Sequence, residues 1–227
     1  NVVVIPFTKE FASTPSEDFI KNYIINDLHP AAIVVGYDHH FGKNRMGDFE
    51  MLSRLSTQYG FQTIQVEARY VDGVAVSSTK IRNFLWAGNV KAANELLGYP
   101  YSVSGVVVEG NKIGRTLGFP TANLDIPNEY LMINNPGVYA CQTVVDGKTY
   151  NAMANTGLRP TIGDRADGDF IIEVNLFDFE GDLYEKSLKV WFIDRIRDEV
   201  KFPNLDKLKE QLTLDREEAK RKLAVNN

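Results

Sequence analysis

The sequence predicts two architectures in series, an α/β part built on a parallel sheet followed by an all-β part closed as an antiparallel barrel with terminal helices. Three observations predict this. Up to residue 97, short apolar runs alternate with stretches of helical periodicity, as in βαβ units. After Gly98-Tyr99-Pro100 the pattern becomes short strands divided by turn residues. From residue 204 to 223, Leu205, Leu208, Leu212, Ala219 and Leu223 recur at helical spacing with charges between them. The boundary therefore falls near residue 98, dividing 1–98 from 99–227.

In order, residues 2–5 (Val-Val-Val-Ile) read as a strand buried on both faces. Such a strand seldom opens a domain, so further strands are expected ahead of it in the full-length protein. Ser16-Glu17-Asp18 caps a helix carrying Phe19, Ile20, Tyr23, Ile24 and Leu28, ended by Pro30. Residues 32–35 form the next strand, 46–59 an amphipathic helix and 61–66 a third strand. Residues 77–97 are helical in two pieces, broken near Gly88-Asn89. In the second part, 101–108, 137–145, 149–155, 170–177 and 188–196 read as strands, and Asp146-Gly147 is a tight hairpin turn. The end of the chain gives one or two helices.

A chain of 227 residues can hold two small cores. The formal net charge of -5 and the lack of a Lys/Arg run leave a nucleic acid little to gain from counterion release. No apolar stretch is long enough to span a bilayer, so the reading expects a cytoplasmic protein, a monomer or weak homo-oligomer. The single cysteine, Cys141, lies in a valine-rich strand and reads as a core residue.

The densest candidate segment is 110–124. Gly110, Gly114 and Gly118 are spaced by four, with Lys112 and Arg115 between them, a composition that can cradle phosphates. Taken alone, that spacing reads better as a flexible hairpin connection with solvated charges. Thr121 and Asn123 alternate in an extended chain and so share a face, and their hard oxygens suit Mg²⁺. Turn hydrogen bonding explains those two equally well. A base for transfer to an alcohol cannot be histidine in this half, since His29, His39 and His40 all precede it. Glu173, mid-strand among Ile171, Ile172, Val174 and Leu176, is the outstanding carboxylate; a simple polar face shared with Asn175 is the weaker reading.

These residues resemble, in order and spacing, the riboflavin kinase module of the bacterial bifunctional riboflavin kinase/FMN adenylyltransferases. The resemblance rests on 114–123 (Gly-Arg-Thr-Leu-Gly-Phe-Pro-Thr-Ala-Asn), 137–139 (Gly-Val-Tyr), 155–161 (Asn-Thr-Gly-Leu-Arg-Pro-Thr), Glu173 and 196–202 (Ile-Arg-Asp-Glu-Val-Lys-Phe). It implies a six-stranded barrel, ATP, riboflavin and Mg²⁺ as substrates and metal, and FMN and ADP as products. Thr121 and Asn123 would hold Mg²⁺ and phosphates under the 110–118 loop, Glu173 would act as base, and Asn155 and Arg197 would meet the flavin, Arg197 from the loop before the terminal helices. Asn175 stands where the family often has histidine.

The first part resembles the later portion of the family's Rossmann-like nucleotidyltransferase domain. Gly36, Asp38 and Phe41 fall in a flavin-side loop, and Ser77, Ser78, Thr79 and Arg82 in a phosphate-binding signature at a helix start. A plain serine N-cap fits the latter nearly as well. The family's His-x-Gly-His signature does not occur in this sequence. The resemblance therefore implies FAD formation by the full-length protein and not by this chain. Two other readings are a flavin- or nucleotide-binding module without catalysis and a different adenylyltransferase built on the α/β part alone.

Overall fold

The computed structural model describes residues 2–110, 112–126, 131–133, 135–158 and 170–224. Of the motif residues, Asn111 and 159–161 lie outside them. The chain divides into two compact units, one ending at Ala75 and one beginning at Val76.

In the first unit, Thr8 caps a short α1 (Lys9–Ala12), and α2 (Ser16–Phe19) continues through a π-helical stretch (Ile20–Ile25) into α3 (Asn26–Leu28). His29 stops that run in the left-handed region at φ 48°. β1 (Ala32–Gly36) pairs in parallel with β2 (Gln62–Val66), connected by α4 (Phe49–Tyr59). Asp48 caps α4 by accepting the Met51 N–H at 2.9 Å, and Gly60 ends it at φ +77°. Ile20, Leu52, Leu55 and Phe61 form the core. A hairpin of β3 (Tyr70–Val71) and β4 (Val74–Ala75) closes the unit. Residues 2–5 differ from the expected buried strand. Val2 and Val4 are 88% and 85% exposed, and the run pairs with no strand among the described residues. Apolar sequence becomes a strand only where a neighbour takes up its backbone hydrogen bonds.

The second unit starts with α5 (Ser78–Trp86) and α6 (Val90–Leu97), capped by Ser77 and Asn89 and separated at Gly88, φ +74°. Leu85, Val90 and Ala93 pack into the barrel core, so by contact these helices go with the barrel, although the sequence pattern changes only near residue 98. The barrel comprises β5 (Ser102–Val108), β6 (Ala122–Asp125), β7 (Gly137–Val145), β8 (Lys148–Leu158), β9 (Phe170–Leu176) and β10 (Ser187–Asp198). It closes in the order β10-β5-β6-β9-β8-β7, all neighbours antiparallel. Ile172, Val174, Val190 and Phe192 fill the interior. On the outer wall lies α8 (Leu205–Ala224), whose Ala219 and Leu223 pack against Ala140, Met153 and Phe177. Because successive residues of a strand face opposite sides, Glu173, between Ile172 and Val174, points outward.

Cys141 is fully buried, and burial pushes its thiol well above the ordinary range. A thiol reagent is expected to label the native protein only at the rate at which it unfolds, which a labelling time course across a urea series checks.

Candidate active site

A cavity of about 320 Å³ opens between the outer barrel wall and the start of α8, a size suited to a small heterocyclic ligand. Strand register builds its floor. Asn123 lies opposite Glu173, Glu173 opposite Asn155, Asn155 opposite Val138, and Val138 opposite Arg197. One transverse row across five strands thus puts an acid between two amides, with a cation at its end. Leu117 and Phe119 form one side, and Phe202, Leu208 and Leu212 the roof. The cavity is therefore mostly apolar with a polar row beneath it.

The segment 110–121 forms the near rim and contains α7 (Ile113–Thr116), where the sequence reads as loop. Its glycines are set by close packing within the chain. A Cβ on Gly110 would strike the Asn123 amide, and one on Gly114 would strike the Phe119 carbonyl. Gly118 turns at φ +83°. Gly110→Ala is expected to cost about 1–3 kcal/mol, read as a lower urea midpoint with an unchanged slope.

Asn123 is only 7% exposed, and its Oδ1 meets no hydrogen-bond donor among the described residues. An orphaned buried carbonyl is costly unless a ligand engages it. Thr121, two residues earlier, borders the cavity, and the two side chains together offer hard oxygens of the kind that suit a magnesium ion arriving with phosphate.

Neither of the two cations of the rim lines the main cavity. Lys112, at φ +59°, pairs with Glu109 at 2.9 Å, which holds its ammonium above its usual pKa, and lies 5.9 Å from the Tyr184 ring. Arg115 lines a separate cavity of about 90 Å³ with Tyr184 and Asp182, and Thr121 borders both cavities.

Arg197 sits within β10, not in the loop the sequence reading gave it, because β10 runs on through bulges to pair with β7. Its guanidinium grips Asp215 of α8 with contacts of 2.7, 2.9 and 3.1 Å, and Gln211 donates to the same carboxylate at 2.9 Å. Asp215 is the residue sequence reasoning missed. It falls three residues after Leu212 and four before Ala219, on the stripe that α8 buries, and that break in the apolar pattern is the signal that would have found it.

The remaining candidates lie elsewhere. Gly36 ends β1 and Asp38 follows in an exposed turn. Phe41 exchanges backbone hydrogen bonds with Gly47, and its ring stacks on His39 at 6.0 Å. In the second unit, Ser77 Oγ accepts the Lys80 N–H at 3.3 Å, and Ser78, Thr79 and Arg82 are exposed along the start of α5.

Comparison with known proteins matches two family models to separate stretches of the chain. Residues 97–223 match the riboflavin kinase family model and residues 1–80 the FAD synthetase model. A bifunctional riboflavin kinase/FMN adenylyltransferase of Haemophilus influenzae is 39% identical over 96% of this chain and 70% of the relative. Those of Buchnera aphidicola and Bacillus subtilis are 38% and 39% identical over 95% of the chain, covering 68% and 67% of their own lengths. A solved structure titled as a macrolide-efflux protein from Streptococcus pneumoniae superposes with a TM-score of 0.81 at 36% identity, over 94% of this chain and 67% of that one. Among the described residues no helix is long and apolar enough to cross a membrane.

Proposed function

This chain belongs to the family of bifunctional riboflavin kinase/FMN adenylyltransferases, and on that premise we propose that its barrel transfers the γ-phosphate of ATP to the 5′-hydroxyl of riboflavin in the cavity beneath α8. The observation that carries the reading is the transverse row, which puts Glu173, Asn155 and Arg197 along one cavity wall, with Asn123 beside Glu173 as the next member of the row. The apolar sides hold the flavin ring out of water. Asn155 and Arg197 orient the flavin from the floor, which brings the ribityl chain along the polar row towards Glu173. Glu173 accepts the proton of the 5′-hydroxyl as its oxygen attacks phosphorus, and the leaving ADP oxygen departs on the opposite side.

ATP approaches from the rim. Thr121 and Asn123 hold the Mg²⁺ that accompanies the nucleotide, and the segment from Gly110 to Gly118, with Lys112 and Arg115, covers its phosphates. The metal supplies neutralisation of phosphate charge when bound. Most of the acceleration comes from holding both substrates in line in a site closed to water. The family's second reaction, FAD formation from FMN, is assigned to the full-length protein and not to this chain, whose sequence has no His-x-Gly-His signature. Of the residues this chain carries for that reaction, Gly36, Asp38 and Phe41 in the first unit are candidates for the flavin side and, separately, Ser77, Ser78, Thr79 and Arg82 in the second are candidates for the phosphates.

Purified chain incubated with riboflavin and MgATP is expected to release FMN and ADP in equal amounts, measured by chromatography. Flavin binding without FMN would remove the kinase assignment.

A further inference from the structure

The rim of the site is held in place by Asn175. Its side chain is 2% exposed and borders the cavity, and its Nδ2 donates to the Pro120 carbonyl at 2.7 Å. The register explains why this bond exists. β6 and β9 pair from Leu124 opposite Ile172 to Ala122 opposite Val174, so the next facing pair would be Thr121 and Asn175. The ladder stops one step short of it. The Asn175 side chain then reaches across to the peptide plane joining Pro120 to Thr121, prolonging the strand pairing by a side-chain bond.

A second group steadies the first. Arg216, from α8, approaches Asn175 Oδ1 with Nη2 at 3.5 Å, while its guanidinium lies 4.6 Å from the Phe119 ring and 5.5 Å from the Phe177 ring. Its Nε is buried and meets no hydrogen-bond partner among the described residues. A cation kept at such a site gains from the two ring faces and from the one amide oxygen within reach. α8, β9 and the residues preceding Thr121 are thereby locked together.

We propose that Asn175 is a positioning residue for nucleotide: by fixing the Pro120 carbonyl it sets the direction of Thr121 and Asn123 and so governs the affinity for MgATP, with Arg216 orienting the amide. This rests on the reading that Thr121 and Asn123 hold MgATP. An amide oriented by a cation at Oδ1 presents its NH₂ to Pro120, which neither leucine nor aspartate can reproduce; histidine offers a ring N–H at similar reach.

The test measures KM for MgATP, kcat, and riboflavin Kd by flavin fluorescence in the full chain carrying Asn175→Leu, Asn175→Asp and Asn175→His. Leucine and aspartate are expected to raise KM for MgATP about tenfold or more with riboflavin Kd within about threefold, the loss from one buried hydrogen bond left unmade. Histidine is expected to recover most of that loss. Riboflavin Kd and the melting curve show whether each variant is folded. An unchanged KM for MgATP, an equal weakening of both ligands, or no recovery with histidine would overturn the positioning role. Thr121→Ala and Asn123→Ala separate the two levels. If they leave KM for MgATP unchanged, the nucleotide site itself is misplaced, whereas if they raise it and the Asn175 variants do not, only Asn175's role fails.

Discussion

Glu173→Gln is expected to lower kcat for FMN formation by about 10²–10⁴ while leaving riboflavin Kd within about threefold. Glutamine keeps the shape of the side chain and its place in the register opposite Asn123 and Asn155. It cannot take the hydroxyl proton in the transition state. The contribution of Glu173 is made when the proton moves, so the loss falls on kcat and not on ground-state binding. The acidic limb of the pH–rate profile, which reports ionisation of the base, is expected to vanish in the same variant. Equal losses in turnover and affinity would reduce Glu173 to a binding residue.

Asp215→Ala has the largest expected effect on stability. Asp215 is 1% exposed and Arg197 20%, and their contact joins α8 to β10. Removing the acid leaves a largely buried guanidinium without its partner and Gln211 without its acceptor, at a cost of about 3–5 kcal/mol; the residual exposure of Arg197 favours the lower end. Urea unfolding should show it as a fall in midpoint, and riboflavin KM should rise because Arg197 no longer has a fixed direction on the cavity floor. Arg197→Ala with Asp215→Ala should cost less than the sum of the single changes, since each single change strands the other charge. An additive double mutant would mean that the two groups do not support each other.

Much of this arrangement is legible in the sequence because local rules and tertiary demands agree. The Asp146-Gly147 turn joins β7 to β8 with both residues at positive φ, as the hairpin chemistry requires. The alternation around Glu173 places it on the polar face, and that face turns out to be the wall of the cavity. Residues 77–97 break at Gly88 as expected.

Other features are set by contacts distant in sequence. β6 has four residues and lies between β5 and β9, too short for alternation to identify it as a barrel strand. Three glycines around Lys112 and Arg115, taken alone, read as a flexible connection with solvated charges; in the fold two of them serve the approach of the rim to Asn123 and Phe119, and neither cation lines the main cavity. Side-chain direction in such a segment depends on the φ values its turn imposes, which residue type does not specify. Asp215 was visible as a charge on an apolar stripe, but its partner, 18 residues earlier on another element, was not.

The most direct test is a crystal structure of this chain with riboflavin and MgADP. The account predicts the flavin ring between Phe119 and the roof formed by Phe202, Leu208 and Leu212, its 5′-hydroxyl within hydrogen-bond reach of the Glu173 carboxylate, and the metal on Thr121 and Asn123. A flavin bound away from that row, or a nucleotide phosphate on the side of the barrel remote from Asn123, would contradict it.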